Sequence, residues 1–462
     1  MMRLTGFVLT LMICTSAAAQ ENSPYSRYGL GDLVPNQNII NRGMGGISAG
    51  YSDYQSVNFV NPASFGNLSY LTPASVKIPG SQRNTIFDFG IEADTRTLKS
   101  ISPVGKFSTT NLNISYMQLG IPVKLKKANK KGIFLGLDLG LRPVSRVNYK
   151  ILRVERKLDI DTMATIYEGS GGVSEANLGA GLRIKNFNIG FNSGYRFGNK
   201  KYSTRITFLN DTVSYHQSNS ETKANFGGIF FNVGTQYEIQ LKSKYKNAAG
   251  IKKNAGILRL GGFANLSQKM TGTQDILRET VSYDDAGGVY RVDSVYQSKQ
   301  DGTVKTPFSW GAGFTYKDSA SHWLFGAEYE RTDWNGYRFF DKTDQVQNTW
   351  KIRGGAEYFP AKDNTPVSKY FSYVKYRAGF YYGPDYVNVG NNSVPEYGFT
   401  FGASFPLKLR KSSYYETQIS FLNTAIEIGS RGNKQSNLRE SIVRISVGFS
   451  LGDLWFNRSK YY

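Results

Sequence analysis

Apolar and polar residues alternate strictly through residues 132–142. There Ile133, Leu135, Leu137, Leu139 and Leu141 interleave with Phe134, Gly136, Asp138, Gly140 and Arg142. A strand turns successive side chains to opposite faces, so this stretch carries one aliphatic face and one face of small and charged groups. The pattern recurs. Leu178, Ala180, Leu182 and Ile184 oppose Asn177, Gly179, Gly181 and Arg183, and Phe187, Ile189 and Phe191 oppose Asn188, Gly190 and Asn192. Further on, Tyr397, Phe399 and Phe401 oppose Gly398, Thr400 and Gly402, and Val443, Ile445, Val447 and Phe449 oppose Arg444, Ser446 and Gly448. Segments of about ten residues with a period of two, separated by turn residues, are the signature of a transmembrane β-barrel.

The alternating segments begin near Ile86, Thr110, Ile133, Ser174, Phe187, Lys223, Gly256, Val304, His322, Asn348, Phe371, Pro395, Tyr414 and Arg439. That makes about fourteen strands, the even number of single-chain bacterial barrels. A further candidate at 70–78 contains Pro73 and is left outside the barrel. Links alternate between short (124–132, Lys185, 317–321, 409–413) and long (147–173, 199–222, 272–303, 335–347, 383–394). Short periplasmic turns and long external loops explain that sorting, and both termini are then expected on the periplasmic side. The expected fold is all-β, a transmembrane antiparallel barrel in the outer membrane of a Gram-negative bacterium.

Residues 1–19 read as a secretory signal peptide, with Arg3, an apolar run from Phe7 to Cys14 and a small-residue end at Ala17, Ala18 and Ala19. Cleavage there removes the single cysteine, Cys14, and with it disulfide and thiolate chemistry. Residues 20–80 form an N-terminal segment rich in turn formers, and residues 81–462 the barrel with its external loops.

Composition fits this picture. The chain has 49 Gly, 31 Tyr and 29 Phe, yet a mean hydropathy of only -0.39, as expected when one face alone is apolar. Aromatic residues such as Tyr373, Tyr376, Phe380, Tyr381 and Tyr382 suit interfacial girdles. The net charge of +21 falls to +20 without Arg3, and much of the excess sits in turns, as at Lys126, Lys127, Lys130, Lys131, Lys408 and Lys411. Beside anionic headgroups these are solvated turns facing outer-membrane lipids, and a nucleic-acid partner is excluded by location.

Catalytic chemistry is nearly absent. His216 lies in a long loop and His322 in a short turn, too far apart to share a site. A triad-like nucleophile and a zinc site therefore lack their usual ligands, and no metal or cofactor is expected. Asp159, Asp161, Asp284 and Asp285 read as solvated loop carboxylates, with a weak external calcium site as the alternative.

A glycine-rich N-terminal segment leading to Asn61-Pro62-Ala63 and then a large barrel resembles the FadL family of outer-membrane transporters for hydrophobic compounds. The opening Ser23-Pro24-Tyr25-Ser26-Arg27-Tyr28-Gly29 and the closing Gly452-Asp453-Leu454-Trp455-Phe456 look like the version common in Bacteroidetes. The resemblance implies that residues 20–80 fold into the lumen as a hatch and that Asn61, Pro62 and Ala63 lie where it meets the wall.

The alternation aims Arg142, Arg183, Arg196, Arg259, Lys351, Arg353, Lys375, Arg377 and Arg444 inward, with Asp138, Glu328, Glu330 and Glu357. They form either a mutually neutralising network that holds the hatch or a basic lining for an amphipathic ligand. In the second case Arg142, Arg183, Arg353 and Arg377 receive its carboxylate, and Phe134, Phe263 and Leu324 touch its tail. Two functions follow as expectations. One is uptake of a hydrophobic or amphipathic small molecule. The other is a non-transporting accessory role beside subunits of a secretion or outer-membrane assembly complex. A continuous apolar pocket favours the first, a charged and packed interior the second.

Overall fold

The computed structural model describes residues 23–53, 56–68, 85–101, 104–123, 125, 127–128, 131–157, 161–209, 216–246, 252–283, 289–361, 369–389, 392–407, 419–432 and 438–453. The expected signal peptide, the candidate strand at 70–78, the hatch-to-barrel boundary near residue 80 and Asp159, Asp284 and Asp285 lie outside them.

Eighteen strands form one sheet. They are β1 (Asp32–Leu33), β2 (Thr85–Ser100), β3 (Gly105–Val123), β4 (Ile133–Lys157), β5 (Asp161–Ile184), β6 (Phe187–Phe208), β7 (Gln217–Lys246), β8 (Lys252–Asn265) and β9 (Lys269–Tyr283). The rest are β10 (Val289–Lys305), β11 (Phe308–Asp318), β12 (Trp323–Asp333), β13 (Arg338–Phe339), β14 (Thr349–Tyr358), β15 (Lys375–Val389), β16 (Asn392–Leu407), β17 (Ile419–Arg431) and β18 (Leu438–Asp453). Fourteen of them close a single antiparallel barrel: β8 passes its ladder to β11, β12 to β14, and β18 returns to β2 from Leu438↔Ser100 to Asp453↔Thr85. No described helix is long and apolar enough to cross a membrane.

Burial is inverted relative to a soluble protein. Leu139, Leu178, Phe191, Phe399 and Ile445 are exposed on the outside, whereas Asp138, Gln118, Ser404 and Arg183 are buried within. The outer face needs lipid to cover it, and pairing between neighbouring strands satisfies backbone groups there without water.

The long links are largely not loops. Residues 147–157 and 161–171 continue the β4–β5 ladder to Lys157↔Asp161, and β9 and β10 form a hairpin that rises above β8 and β11 and pairs with upper β7. Above the apolar band the outward side chains become mixed, with Lys150 beside Leu152 and Val154 on β4. The hydrophobic alternation therefore stops while backbone pairing does not.

One seam is incomplete. β3 pairs with β4 only from Met117↔Leu141 to Val123↔Leu135. A bulge shifts the β2–β3 register between Gly90/Tyr116 and Ile91/Ile114, and above it β4 takes other partners. Arg146 and Ser145 pair with β1, Val34 N donates to Val144 O (3.0 Å), and Ser23 N donates to Asn148 O (3.2 Å).

Candidate functional site

Residues 23–53 and 56–68 occupy the lumen. Short turns rather than long elements shape this segment: Asn38 caps the helical turn Ile39–Arg42 by accepting from Asn41 N (2.8 Å), and Asn61 caps Pro62–Ser64 by accepting from Ala63 N (3.1 Å). Pro62 enters at the first position of its turn, where a missing N–H costs nothing. Asn61 also donates to Ala49 O (2.7 Å) and to Thr235 O of β7 (3.2 Å). The wall opposite is glycine. A side chain on Gly190 or Gly234 would collide with Pro62 or Asn61, so these inward glycines are the footprint on which the Asn61-Pro62-Ala63 corner rests.

Charge holds the rest. Arg431 of β17 lies 2.8 Å from Asp32 of the N-terminal segment, 2.5 Å from Asp385 of β15 and 3.6 Å from Glu440 of β18. Arg96 of β2 contacts Asp32 (2.6 Å) and Asp94 (2.8 Å). Arg444 contacts Asp94 (3.2 Å) and Glu427 (2.9 Å), while Arg42 of the segment meets Glu92 at 2.5 Å. On the far wall Glu328 accepts from Ser48 N and Ala49 N, both at 2.6 Å, and Lys375 holds Asp53 at 3.0 Å. Burial alone would raise the Asp32 carboxyl, but Arg96 and Arg431 outweigh it and hold it below its ordinary range. Asp53 is likewise pushed up by burial and brought lower by Lys375 and Arg377.

The arginines singled out in the sequence are part of this web. Arg353 meets Glu328 (3.0 Å) and Glu330 (2.6 Å), Arg377 meets Glu357 (2.7 Å), Arg183 meets Glu238 (3.3 Å) and donates to Asn67 Oδ1 (2.7 Å), and Arg142 meets Glu175 (2.5 Å) and Asn36. The apolar candidates face the same segment. Leu324 clusters with Ile40, Met44, Ile47 and Tyr51, and Phe263 with Ile39, Ala49, Phe59 and Val60. Phe134 is half-buried opposite Arg183 in the β4–β5 register. The seven candidates are thus dispersed around the wall rather than gathered on one pocket.

A cavity of about 190 Å³ remains between the segment and the wall of β2, β12 and β14–β18, lined by Arg42, Arg96, Arg353, Arg431 and Arg444 together with Asp32, and by apolar groups such as Leu33, Val34, Trp334 and Ile442. Of the seven candidates, Arg353 lines it. Sequence reasoning missed Arg42, Arg96, Arg431, Glu92, Asp94 and Glu440. A period-two reading extended to β2 would have found Glu92, Asp94 and Arg96, whereas nothing in the irregular segment marks Arg42. Among the described residues no cluster of His, Cys, Asp or Glu could hold a metal ion. His322 Nδ1 lies 2.7 Å from Phe359 O at the short-turn end, and His216 is exposed on the far side.

The family model for BamG matches residues 1–462. The chain belongs to the BamG family. Among solved structures, the Pseudomonas putida toluene transporter TodX has a TM-score of 0.51 at 15% identity, covering 92% of this chain and 100% of its own. A Pseudomonas aeruginosa FadL homologue has a TM-score of 0.55 at 10% identity, with 92% and 100% covered. The CymD monoaromatic hydrocarbon channel gives 0.50 at 13%, with 93% and 100% covered. At such identities the shared property is the fold, a closed antiparallel barrel. No curated protein matches the chain.

Proposed function

We propose that this barrel is a sealed, non-transporting accessory subunit of an outer-membrane protein assembly or secretion complex. The observation that carries the reading is the interior. Its hatch, residues 23–68, is tied to the wall by buried ion pairs contributed from both sides, among them Asp32–Arg431, Arg42–Glu92 and Asp53–Lys375. The cavity beside it is small, about 190 Å³, and mixes arginines and carboxylates with Leu33, Val34, Trp334 and Ile442. Ligand pockets run to roughly 300–1,000 Å³, so a cavity of this size buries too little of a fatty ligand for burial against apolar surface to give affinity. The designation BamG hints at association with an assembly complex, which supports the same reading.

Asp453 sits at the short-turn end, and on this reading the C-terminus faces the periplasm. The segment climbs the lumen, so that Ser23 donates to Glu440 (2.5 Å) and Tyr25 to Leu438 O (2.7 Å) at the long-hairpin end. Ser23, the first described residue, then lies near the external mouth on this reading.

Uptake of a hydrophobic compound is the second reading, favoured by the fold shared with hydrocarbon channels and by the parting of β3 from β4. Native mass spectrometry of the barrel extracted gently from its own outer membrane separates the two. Stoichiometric protein partners and no bound ligand are expected. A lone barrel carrying a lipid or fatty acid that is lost in Arg353→Ala and Arg377→Ala would instead support transport.

A further inference from the structure

The incomplete seam has an edge at bilayer depth. Outward residues of β2 run Phe87, Phe89, Ile91 and Ala93, then Thr95, Thr97 and Lys99. Those of β3 run Ile114 and Leu112, then Thr110, Ser108 and Lys106. The hydroxyls pair across the strands, Thr95 with Thr110 and Thr97 with Ser108, each at 2.9 Å. The apolar band therefore ends between Leu112 and Thr110, above the point where β4 leaves β3 at Met117. Ser108, Thr110 and Leu112 have β2 on one side and no strand on the other among the described residues.

Which groups this edge offers can be read from one contact. The Arg146 guanidinium reaches from β4 through the seam, donating to Glu92 Oε1 (2.9 Å) and to Ile114 O (3.4 Å). The Ile114 carbonyl thus points into the seam. A residue's N–H and C=O leave a strand on the same side, and the side repeats every second residue. The backbone groups of Leu112 and Thr110 therefore point the same way. Leu112 is 68% and Ile114 58% exposed.

We propose that this β3 edge is a strand-addition site, taking an extended segment of a second polypeptide in the outer membrane. Backbone N–H and C=O groups facing hydrocarbon must find polar partners. An acyl chain covers Leu112 and Ile114 but cannot bond their backbone, whereas a strand does both. Its outward side chains are apolar beside Ile114 and Leu112 and polar beside Thr110 and Ser108. The inner side of the seam carries β1, paired with Ser145 and Arg146, and the Arg42–Glu92–Arg146 group, so the added strand lies against the wall. The inference deepens the accessory reading by naming where a partner chain engages.

The test places a photo-crosslinking phenylalanine at Leu112 or Ile114 in the full chain within its native membrane, with Ile445 on β18 as an outward control, and repeats it with a proline on the edge. Expected are polypeptide adducts at Leu112 and Ile114 and none at Ile445. Leu112→Pro, with the probe at Ile114, is expected to reduce the adduct at least tenfold, because proline deletes a donor facing the seam and leaves the β2 ladder intact. Heat-modifiable migration confirms that the variant folds, and Thr110→Pro serves if it does not. Adducts to lipid alone, or polypeptide adducts unchanged by either proline, would overturn strand addition. Stoichiometric partners found together with lipid-only adducts would leave the accessory reading standing and remove this site.

Discussion

Arg431 is buried among Asp32, Asp385 and Glu440, contributed by the N-terminal segment and two strands of the wall. Removing one partner from a buried ionic group leaves uncompensated charge and costs about 3–5 kcal/mol. Arg431→Ala is expected to lower the temperature at which the barrel loses its heat-modifiable form and to expose the hatch to trypsin. Arg331→Ala, which removes an exposed contact to Asp333, should leave both unchanged. Two carboxylates of the hatch contribute to its pH dependence. Asp32 and Asp53 are held below their ordinary values. A lowered value stabilises docking above the undocked pKa of about 3.9 and loses that contribution as pH falls through the docked value. A spin label on Leu33→Cys should therefore stay immobile from about pH 7 to 5 and gain mobility only below about pH 4. Mobilisation near neutral pH would mean that these two carboxylates do not hold the segment.

At the scale of elements, the barrel proper is separable from what rises above it. β8 and β11 pair directly from Gly256 to Asn265, beneath the β9–β10 hairpin. Replacing residues 272–302 by a short turn should leave a heat-modifiable barrel, since no spanning ladder is cut; loss of the heat-modifiable form would show that the hairpin is needed to close the sheet. The spanning strands were legible in the sequence because lipid imposes an apolar face every second residue, and the segment starts fall within or a few residues from the spanning strands, except that Val304 lies on β10 of the raised hairpin and Tyr414 lies outside the described residues. The hairpins read as loops because water imposes no such pattern on Lys150 or Glu168, although their strands pair as regularly. The lumen was legible as a set of inward charges, but not as pairs. Partners such as Arg183 and Glu238 are 55 residues apart in sequence and meet only through strand register. Gly190 showed as a small inward position, while its use together with Gly234 as a bed for Asn61 and Pro62 depends on the path of an irregular segment that has no period to read.

At the scale of the whole molecule, a fourteen-strand barrel is filled from within by its own N-terminal segment, and the contacts that fill it are charged, numerous and drawn from most of the wall. Transport would require those contacts to give way, whereas an accessory role lets them persist and leaves the outer surface, the tall hairpins and the open β3 edge as the active features. The most direct test of the sealed lumen is the current through the purified barrel in a planar lipid bilayer. Wild-type protein is expected to give no steady conductance at neutral pH, and the Arg431→Ala barrel to show intermittent openings. A stable, open wild-type conductance would contradict the account.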